Sequence, residues 1–126
     1  MTISNAGERL ALVVDDEPAV RVLVSRLLSR RGWSVVQAAD AEAALVAVGP
    51  GRLALLVTDY DMPALNGLDL ATRMRVANRG LPILMMSGHP EVAARILELG
   101  GGRAAFAPKP FSPVDFLAKV DDLVPA

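Results

Sequence analysis

The feature that most constrains the fold of this sequence is a short apolar run that ends abruptly in acids. Residues 53–58 are LALLVT, and Asp59, Tyr60 and Asp61 follow at once. A nearly continuous apolar run of this length is typical of a strand buried on both faces, as in a parallel sheet. Ligands of open parallel sheets bind at the carboxyl ends of strands, so Asp59 lies where chemistry is expected. The alternative is that Asp59 is an ordinary turn residue.

The same pattern of an apolar strand followed by a helix recurs along the whole chain. Capping residues, prolines and glycines mark the starts and ends of the helices. Five alternations predict an α/β fold with a parallel sheet and helices on both faces. A five-stranded, flavodoxin-like sheet of order 2-1-3-4-5 is the usual solution at this length, and we expect that order here. The predicted strands are residues 9–14, 33–38, 53–58, 81–86 and 103–107, and the predicted helices begin after Glu17, Asp40, Asn66, Glu91 and Ser112.

Helical periodicity also predicts which side chains of the first and last helices are buried. Arginines occupy the other side of the first helix, where we expect a solvated face or, as the alternative, a docking surface. The predicted buried residues are Val20, Leu23, Val24, Leu27 and Leu28 in the first helix and Val114, Phe116, Leu117, Val120 and Leu123 in the last, and the arginines are Arg21, Arg26, Arg30 and Arg31.

Composition excludes several classes of function. The 126 residues suit one domain, which we expect to span 1–126 with its core at about 9–124 and a polar segment at 1–8. The net charge of −1 provides no basic field for nucleic acid. No apolar run is long enough for a bilayer, and the start of the chain does not resemble a secretory signal. The lack of cysteine fits a reducing compartment, so we expect a cytoplasmic protein.

Polar residues follow four strands that the predicted order makes neighbours. Strand one ends at Asp15 and Asp16, strand three at Asp59, strand four at Ser87 and strand five just before Lys109. Three carboxylates against one lysine leave an excess of negative charge, which favours a bound cation or a protonated acid. Oxygen ligands without histidine or cysteine favour Mg²⁺, with Mn²⁺ as the alternative. With a lysine and a hydroxyl nearby, Asp59 is positioned to attack phosphorus as a nucleophile.

The motifs VVDDEP, VTDYDMPALNG, MMSGHP and FAPKPF resemble those of response-regulator receiver domains, in the order and spacing of that family, over about residues 9–124. The resemblance is to a single-domain receiver of the chemotaxis-regulator type. It implies that Asp59 is the phosphoacceptor of a two-component phosphorelay. It also implies that Asp16 and Asp59 ligate Mg²⁺ directly, that Asp15 acts mostly through water, and that the backbone carbonyl of Asp61 supplies a further ligand.

The same resemblance assigns the remaining site residues. Ser87 is implied to be the switch hydroxyl, Lys109 the contact to the phosphoryl group, and Phe106 the switch aromatic residue. The Lys109–Pro110 peptide bond is implied to be cis. Phe106 also fits ordinary packing at an edge strand, Asp61 also fits a surface turn, and His89 is expected to be a solvated loop residue.

Two other functions fit parts of the sequence. A phosphatase resembling the haloacid dehalogenases would also use a strand-end Asp-x-Asp with Mg²⁺. However, that family carries its nucleophile on the first strand and has Thr or Val where Pro63 stands, and a chain of this length has no room for a cap domain. A degenerate receiver that acts without phosphorylation is the second alternative, although all five key side chains are present.

We expect a phosphoacceptor signalling domain rather than an enzyme. Such a domain catalyses only its own phosphorylation and dephosphorylation. The expected partners are a sensor histidine kinase or a histidine phosphotransfer protein, and a downstream protein of unknown identity. We expect a monomer or weak dimer, which acts alone or belongs to a larger regulator or hybrid kinase.

Overall fold

A computed structural model describes residues 9–49, 52–100 and 103–125 of the chain. The polar segment 1–8 and parts of the predicted glycine breaks at 49–51 and 100–102 lie outside these ranges. Strands and helices alternate as the sequence predicts. The elements are β1 (Arg9–Val14), α1 (Pro18–Arg30), β2 (Trp33–Ala38), α2 (Ala41–Ala47), β3 (Leu55–Asp59), α3 (Gly67–Ala77), β4 (Ile83–Ser87), α4 (Val92–Arg95, followed by a 3₁₀ turn, Ile96–Leu99), β5 (Ala104–Pro108) and α5 (Pro113–Leu123).

The five strands form one sheet in the order β2-β1-β3-β4-β5, and every pair is parallel. The predicted fold class is therefore confirmed. β3 lies at the centre and all five of its residues are buried, as its apolar run predicts. Apolar residues that alternate along the strands face opposite sides of the sheet.

Helices cover both faces of the sheet, and a separate hydrophobic core lies under each layer. On one face Leu12 and Leu56 pack with residues of α2, α3 and α4, such as Leu70. On the other face Val13 and Val57 pack with residues of α1 and α5. Among the described residues, no helix is long and apolar enough to cross a membrane.

Local sequence signals set the helix starts. Asp40, Asn66 and Ser112 each accept a hydrogen bond from the backbone N–H three residues later, which satisfies one of the free donors of the first turn. Proline occupies the first turn of α1 and α5, where its missing N–H has no cost. Capping and proline placement thus explain four of the five helix starts.

Some predicted boundaries are wrong by one or two residues. The third strand begins at Leu55 rather than at residue 53 and includes Asp59, and the fourth strand is Ile83–Ser87 rather than 81–86. The fifth strand is likewise shifted by one residue, and α2 ends at Ala47, although the sequence pattern predicts that this helix ends at Val48. Register with the neighbouring strands decides these ends, and a single strand's composition does not contain that information.

Three predicted side-chain environments are also wrong. Leu23 is 44% exposed and Val114 is 77% exposed, so neither side chain belongs to the buried face of its helix. Arg21 does not belong to a purely solvated face, since its guanidinium donates a hydrogen bond to the carbonyl oxygen of Asp15 at 2.7 Å. Arg31 pairs with Asp121 on α5. Arg26 and Arg30 are exposed, as expected.

Candidate functional site

The register of the sheet brings the predicted polar residues to one edge. Val14 pairs with Thr58, so Asp15 emerges from β1 beside the end of β3. Asp59 pairs with Met86, which places Ser87 one residue further along β4. Ser87 in turn pairs with Pro108, the residue before Lys109. A side chain from each of four neighbouring strands therefore meets at the carboxyl end of the sheet.

Lys109 lies between the two buried acids. Its ammonium Nζ is 2.9 Å from Asp15 Oδ2 and 3.4 Å from Asp59 Oδ1, and Glu17 Oε1 lies 3.8 Å away. Burial acts to lower the pKa of Lys109, but the hydrogen bond that its ammonium donates to Asp15, together with the charges of Asp59 and Asp15, outweighs burial, and the net pKa is raised. Lys109 is therefore held as a cation.

Asp15 has no solvent exposure, and both of its carboxylate oxygens have partners. Oδ1 accepts a hydrogen bond from the backbone N–H of Glu17 at 2.9 Å, and Oδ2 accepts one from Lys109. These contacts fix the orientation of Asp15 at the start of α1. The charge of Asp15 is one of the causes that raise the pKa of the neighbouring Asp59.

The environment of Asp59 disfavours its charged form. Burial and the neighbouring charge of Asp15 raise the pKa of Asp59 to about 6, although Lys109 and the backbone N–H of Asp61 act in the opposite direction. The Asp61 N–H lies 3.4 Å from Asp59 Oδ1. One lysine thus compensates the two buried carboxylates only in part.

Asp16 completes a cluster of three carboxylates. Oxygen atoms of Asp15, Asp16 and Asp59 lie within 4.8 Å of one another, and Asp16 is exposed at the mouth of the cluster. This set offers only oxygen ligands and an excess of negative charge, which suits a hard divalent cation such as Mg²⁺. The chemistry of the donor set therefore fits the predicted cofactor.

Ser87 is buried at the end of β4, and its hydroxyl has two partners. Oγ donates to the Asp61 carboxylate at 3.0 Å and accepts from the backbone N–H of His89 at 3.0 Å. The imidazole of His89 is largely exposed, as expected of a loop residue, but its Nε2 lies 3.9 Å from Asp61 Oδ2. The bond between Ser87 and the Asp61 side chain was not predicted from the sequence.

Phe106 is half-buried on β5 and packs against the core on the α3 and α4 side of the sheet, with Val92 and Ile96. This position fits ordinary packing at an edge strand, and the switch role of Phe106 stays a prediction. The Lys109–Pro110 peptide bond is cis, as the resemblance implied.

Gly67 is a residue of the site that sequence reasoning missed. Its N–H donates to the carbonyl of Tyr60 at 2.9 Å. A Cβ on Gly67 would clash with the backbone carbonyl of Asp59 and lie 2.6 Å from Met85 Sδ. The start of α3 therefore packs directly against the segment that carries Asp59. The Asn-Gly pair marked a helix start, but nothing local indicated this close contact.

The fold and the site together define the class of receiver domains. The chain belongs to the response regulator receiver domain family, whose profile matches residues 11–121. Receiver domains are signalling domains, generally not catalytic enzymes. They bind Mg²⁺ through acidic residues, and those of response regulators interact with histidine kinases or phosphotransfer proteins.

Curated relatives include response regulator MprA of Mycobacterium avium, which is 38% identical over 113 residues, 90% of this chain and 50% of its own length. The probable transcriptional regulatory protein TcrX of Mycobacterium tuberculosis is 38% identical over 101 residues, 80% of this chain and 43% of its own length. The chain therefore spans about half the length of the curated relatives it matches.

Two solved structures share the fold of this chain over nearly their whole length. The chemotaxis protein CheY4 of Vibrio cholerae superposes with a TM-score of 0.83 and 27% identity, covering 93% of this chain and 99% of CheY4. The response regulator TrrA of Thermotoga maritima, in complex with Mg²⁺-BeF, gives a TM-score of 0.80 and 26% identity, covering 92% and 99%.

Proposed function

We propose that this receiver accepts a phosphoryl group on Asp59 from a phosphohistidine of a sensor histidine kinase or a histidine phosphotransfer protein. The observation that carries the proposal is the position of the Asp59 carboxylate, at the carboxyl end of the central strand and 3.4 Å from Lys109. Family membership supports the assignment. The proposed unit is one receiver domain with its core at about 9–124.

The proposed reaction is a displacement at phosphorus. An oxygen of Asp59 forms the new O–P bond while the N–P bond of the phosphohistidine breaks, and the imidazole nitrogen leaves with the electron pair. Lys109 is already oriented by Asp15, so its ammonium can bind a phosphoryl oxygen without reorganisation. Ser87 is proposed to donate a hydrogen bond to a second phosphoryl oxygen.

The proposed cation site consists of Asp15, Asp16, Asp59 and the backbone carbonyl of Asp61. When bound, Mg²⁺ supplies positive charge that the carboxylates and the phosphoryl oxygens share. The raised pKa of Asp59 supports the assignment, because burial first and the charge of Asp15 second disfavour its ionised form, and a bound cation would favour that form. Asp15, being held by Lys109, is proposed to act through water.

We propose that the product is a signal rather than a released metabolite. Phosphorylation would draw Ser87 towards the phosphoryl group and change the surface near Phe106, which a downstream protein would bind with altered affinity. The domain would catalyse only its own phosphorylation and dephosphorylation. The proposed setting is the cytoplasm, with a monomer or weak dimer and without direct contact to nucleic acid.

The test is the intact mass of the protein after incubation with acetyl phosphate or phosphoramidate, with and without Mg²⁺. We expect the mass of one added phosphoryl group, dependent on Mg²⁺ and absent in Asp59→Asn. Asp122→Asn, at an exposed acid of α5, is the matched control and is expected to be phosphorylated normally.

No adduct on the folded wild type, even after rapid quenching, would contradict the proposal and favour a degenerate receiver. Continuous turnover of a simple phosphate ester would favour the phosphatase alternative. The present site favours the receiver, because Asp59 is the last residue of the third strand, whereas the phosphatase family carries its nucleophile on the first strand.

A further inference from the structure

The single hydroxyl proton of Ser87 is already used in this structure. The hydroxyl donates this proton to Asp61 Oδ2 at 3.0 Å, and its oxygen accepts the His89 N–H at 3.0 Å. Ser87 is only 1% exposed, so water cannot easily replace either contact. The orientation of this hydroxyl therefore depends on Asp61.

This orientation conflicts with the proposed role of Ser87. A phosphoryl oxygen on Asp59 only accepts hydrogen bonds, so Ser87 must donate its proton to it. A serine hydroxyl has one proton and cannot donate to the Asp61 carboxylate at the same time. Formation of the phosphoryl contact must break the contact with Asp61.

We propose that the side chain of Asp61 is a positioning residue that holds Ser87 in the resting orientation and so opposes the phosphorylated state. The proposal rests on the proposed function and adds a role for this carboxylate that is separate from its backbone carbonyl. Asp61 can be displaced, because its side chain is 47% exposed and His89 Nε2 lies beside it. After displacement, water solvates the carboxylate.

The expected effect is moderate. A hydrogen bond to a charged group typically changes an equilibrium constant by about ten-fold or more, and solvent exposure reduces this to about five- to ten-fold. Removal of the Asp61 carboxylate should therefore shift the equilibrium of the Ser87 hydroxyl towards the orientation that contacts the phosphoryl group, by about this factor.

The experiment measures the affinity for beryllofluoride, as a phosphoryl mimic, at saturating Mg²⁺. The four proteins are the wild type, Asp61→Ala, Ser87→Ala and the double variant. We expect Asp61→Ala to bind about five- to ten-fold more tightly than the wild type. In the Ser87→Ala background the same change should have a clearly smaller effect, because no hydroxyl is left to hold.

An equal effect of Asp61→Ala in both backgrounds would overturn the proposal, since it would show that Asp61 acts only through its charge. Asp61→Asn keeps an acceptor oxygen and should lie between the wild type and Asp61→Ala. Glu91→Ala removes an exposed carboxylate from the same rim and should bind like the wild type. If the wild type does not bind beryllofluoride at all, the proposed function fails and this proposal fails with it.

A second measurement needs no ligand. The amide proton of His89 donates to Ser87 Oγ, so its resonance in a ¹⁵N-correlated spectrum reports the hydroxyl's orientation. We expect Asp61→Ala to move this resonance and Glu91→Ala to leave it in place. An unchanged resonance in Asp61→Ala would overturn the proposal even if the affinity had changed.

Discussion

At the scale of single residues, the property of the site with the most consequences is the raised pKa of Asp59. Two carboxylates and one ammonium share a buried volume, and the pKa of Asp59 is raised to about 6 as a result, through burial first and the charge of Asp15 second. A nucleophile must be deprotonated, and a bound cation favours that form. Cation binding and deprotonation of Asp59 are therefore coupled, and the affinity for Mg²⁺ should fall as the pH drops through about 6.

The raised pKa predicts a pH-dependent stability. Because the pKa of Asp59 in the folded protein, about 6, exceeds its ordinary value of 3.8, the folded state binds more protons than the unfolded chain between these values. The contribution of Asp59 to stability therefore falls as the pH rises through this window. Without divalent cations, Asp59→Asn should be more stable than the wild type above the window, and the gain should vanish below it.

The measurement is urea unfolding with a chelator from about pH 4 to about pH 8. Asp122→Asn, which changes an exposed acid, should follow the wild-type curve. A constant difference between wild type and Asp59→Asn at every pH would show that the charge of Asp59 is not the cause.

At the scale of elements, the start of α3 supports the segment that carries Asp59. Gly67→Ala should destabilise the fold by about 1–3 kcal/mol, because its Cβ has no space beside the Asp59 carbonyl and Met85. The same strain should displace Asp59 and slow phosphorylation by small-molecule donors. Thermal or urea unfolding, together with the rate of phosphoryl gain, checks both effects.

Gly88→Ala is the matched control at the same edge of the sheet. A Cβ on Gly88 would meet nothing within 4 Å, so its effect on stability should stay within about 0.5 kcal/mol. If Gly67→Ala were equally neutral, the close packing of α3 on the Asp59 segment would not matter for either folding or phosphorylation.

The elements also show which structural features can be predicted from the sequence and which cannot. Periodicity, caps and prolines predicted every strand and helix, and the parallel order then placed Asp15, Asp59, Ser87 and Lys109 at one edge. Contacts between residues that are distant along the chain were not indicated by any local sequence pattern. Arg75 on α3 is an example, since it donates to the carbonyl oxygens of Leu81 (3.0 Å), Gly100 (2.5 Å) and Arg103 (3.0 Å).

At the scale of the whole molecule, cation binding should appear as global stability. A ligand that binds only the folded state, at about 100 times its dissociation constant, adds about 2.7 kcal/mol to the free energy of unfolding. We expect Mg²⁺ to raise the melting temperature of the wild type accordingly and to have little effect on Asp16→Ala. Asp16 is exposed, so this change should leave the metal-free fold intact.

Calorimetry at increasing Mg²⁺ makes the comparison. Asp122→Ala is the suitable control and should respond to Mg²⁺ like the wild type. An equal response in Asp16→Ala would remove Asp16 from the proposed ligands.

The far end of the molecule is held by two arginines, Arg9 at the start of β1 and Arg103 directly before β5. Arg9, which also lies over the Trp33 ring at 4.2 Å, donates to the carbonyl oxygen of Val124 at 3.1 Å. Arg103 donates to the carbonyl oxygen of Leu123 at 2.6 Å. Both arginines lie at the amino ends of their strands, opposite Asp59, so the end of α5 is anchored away from the region that phosphorylation would rearrange. A spin label or fluorophore at the end of α5 would therefore provide a fixed reference, against which movements of the loops around Asp59 can be measured as distances.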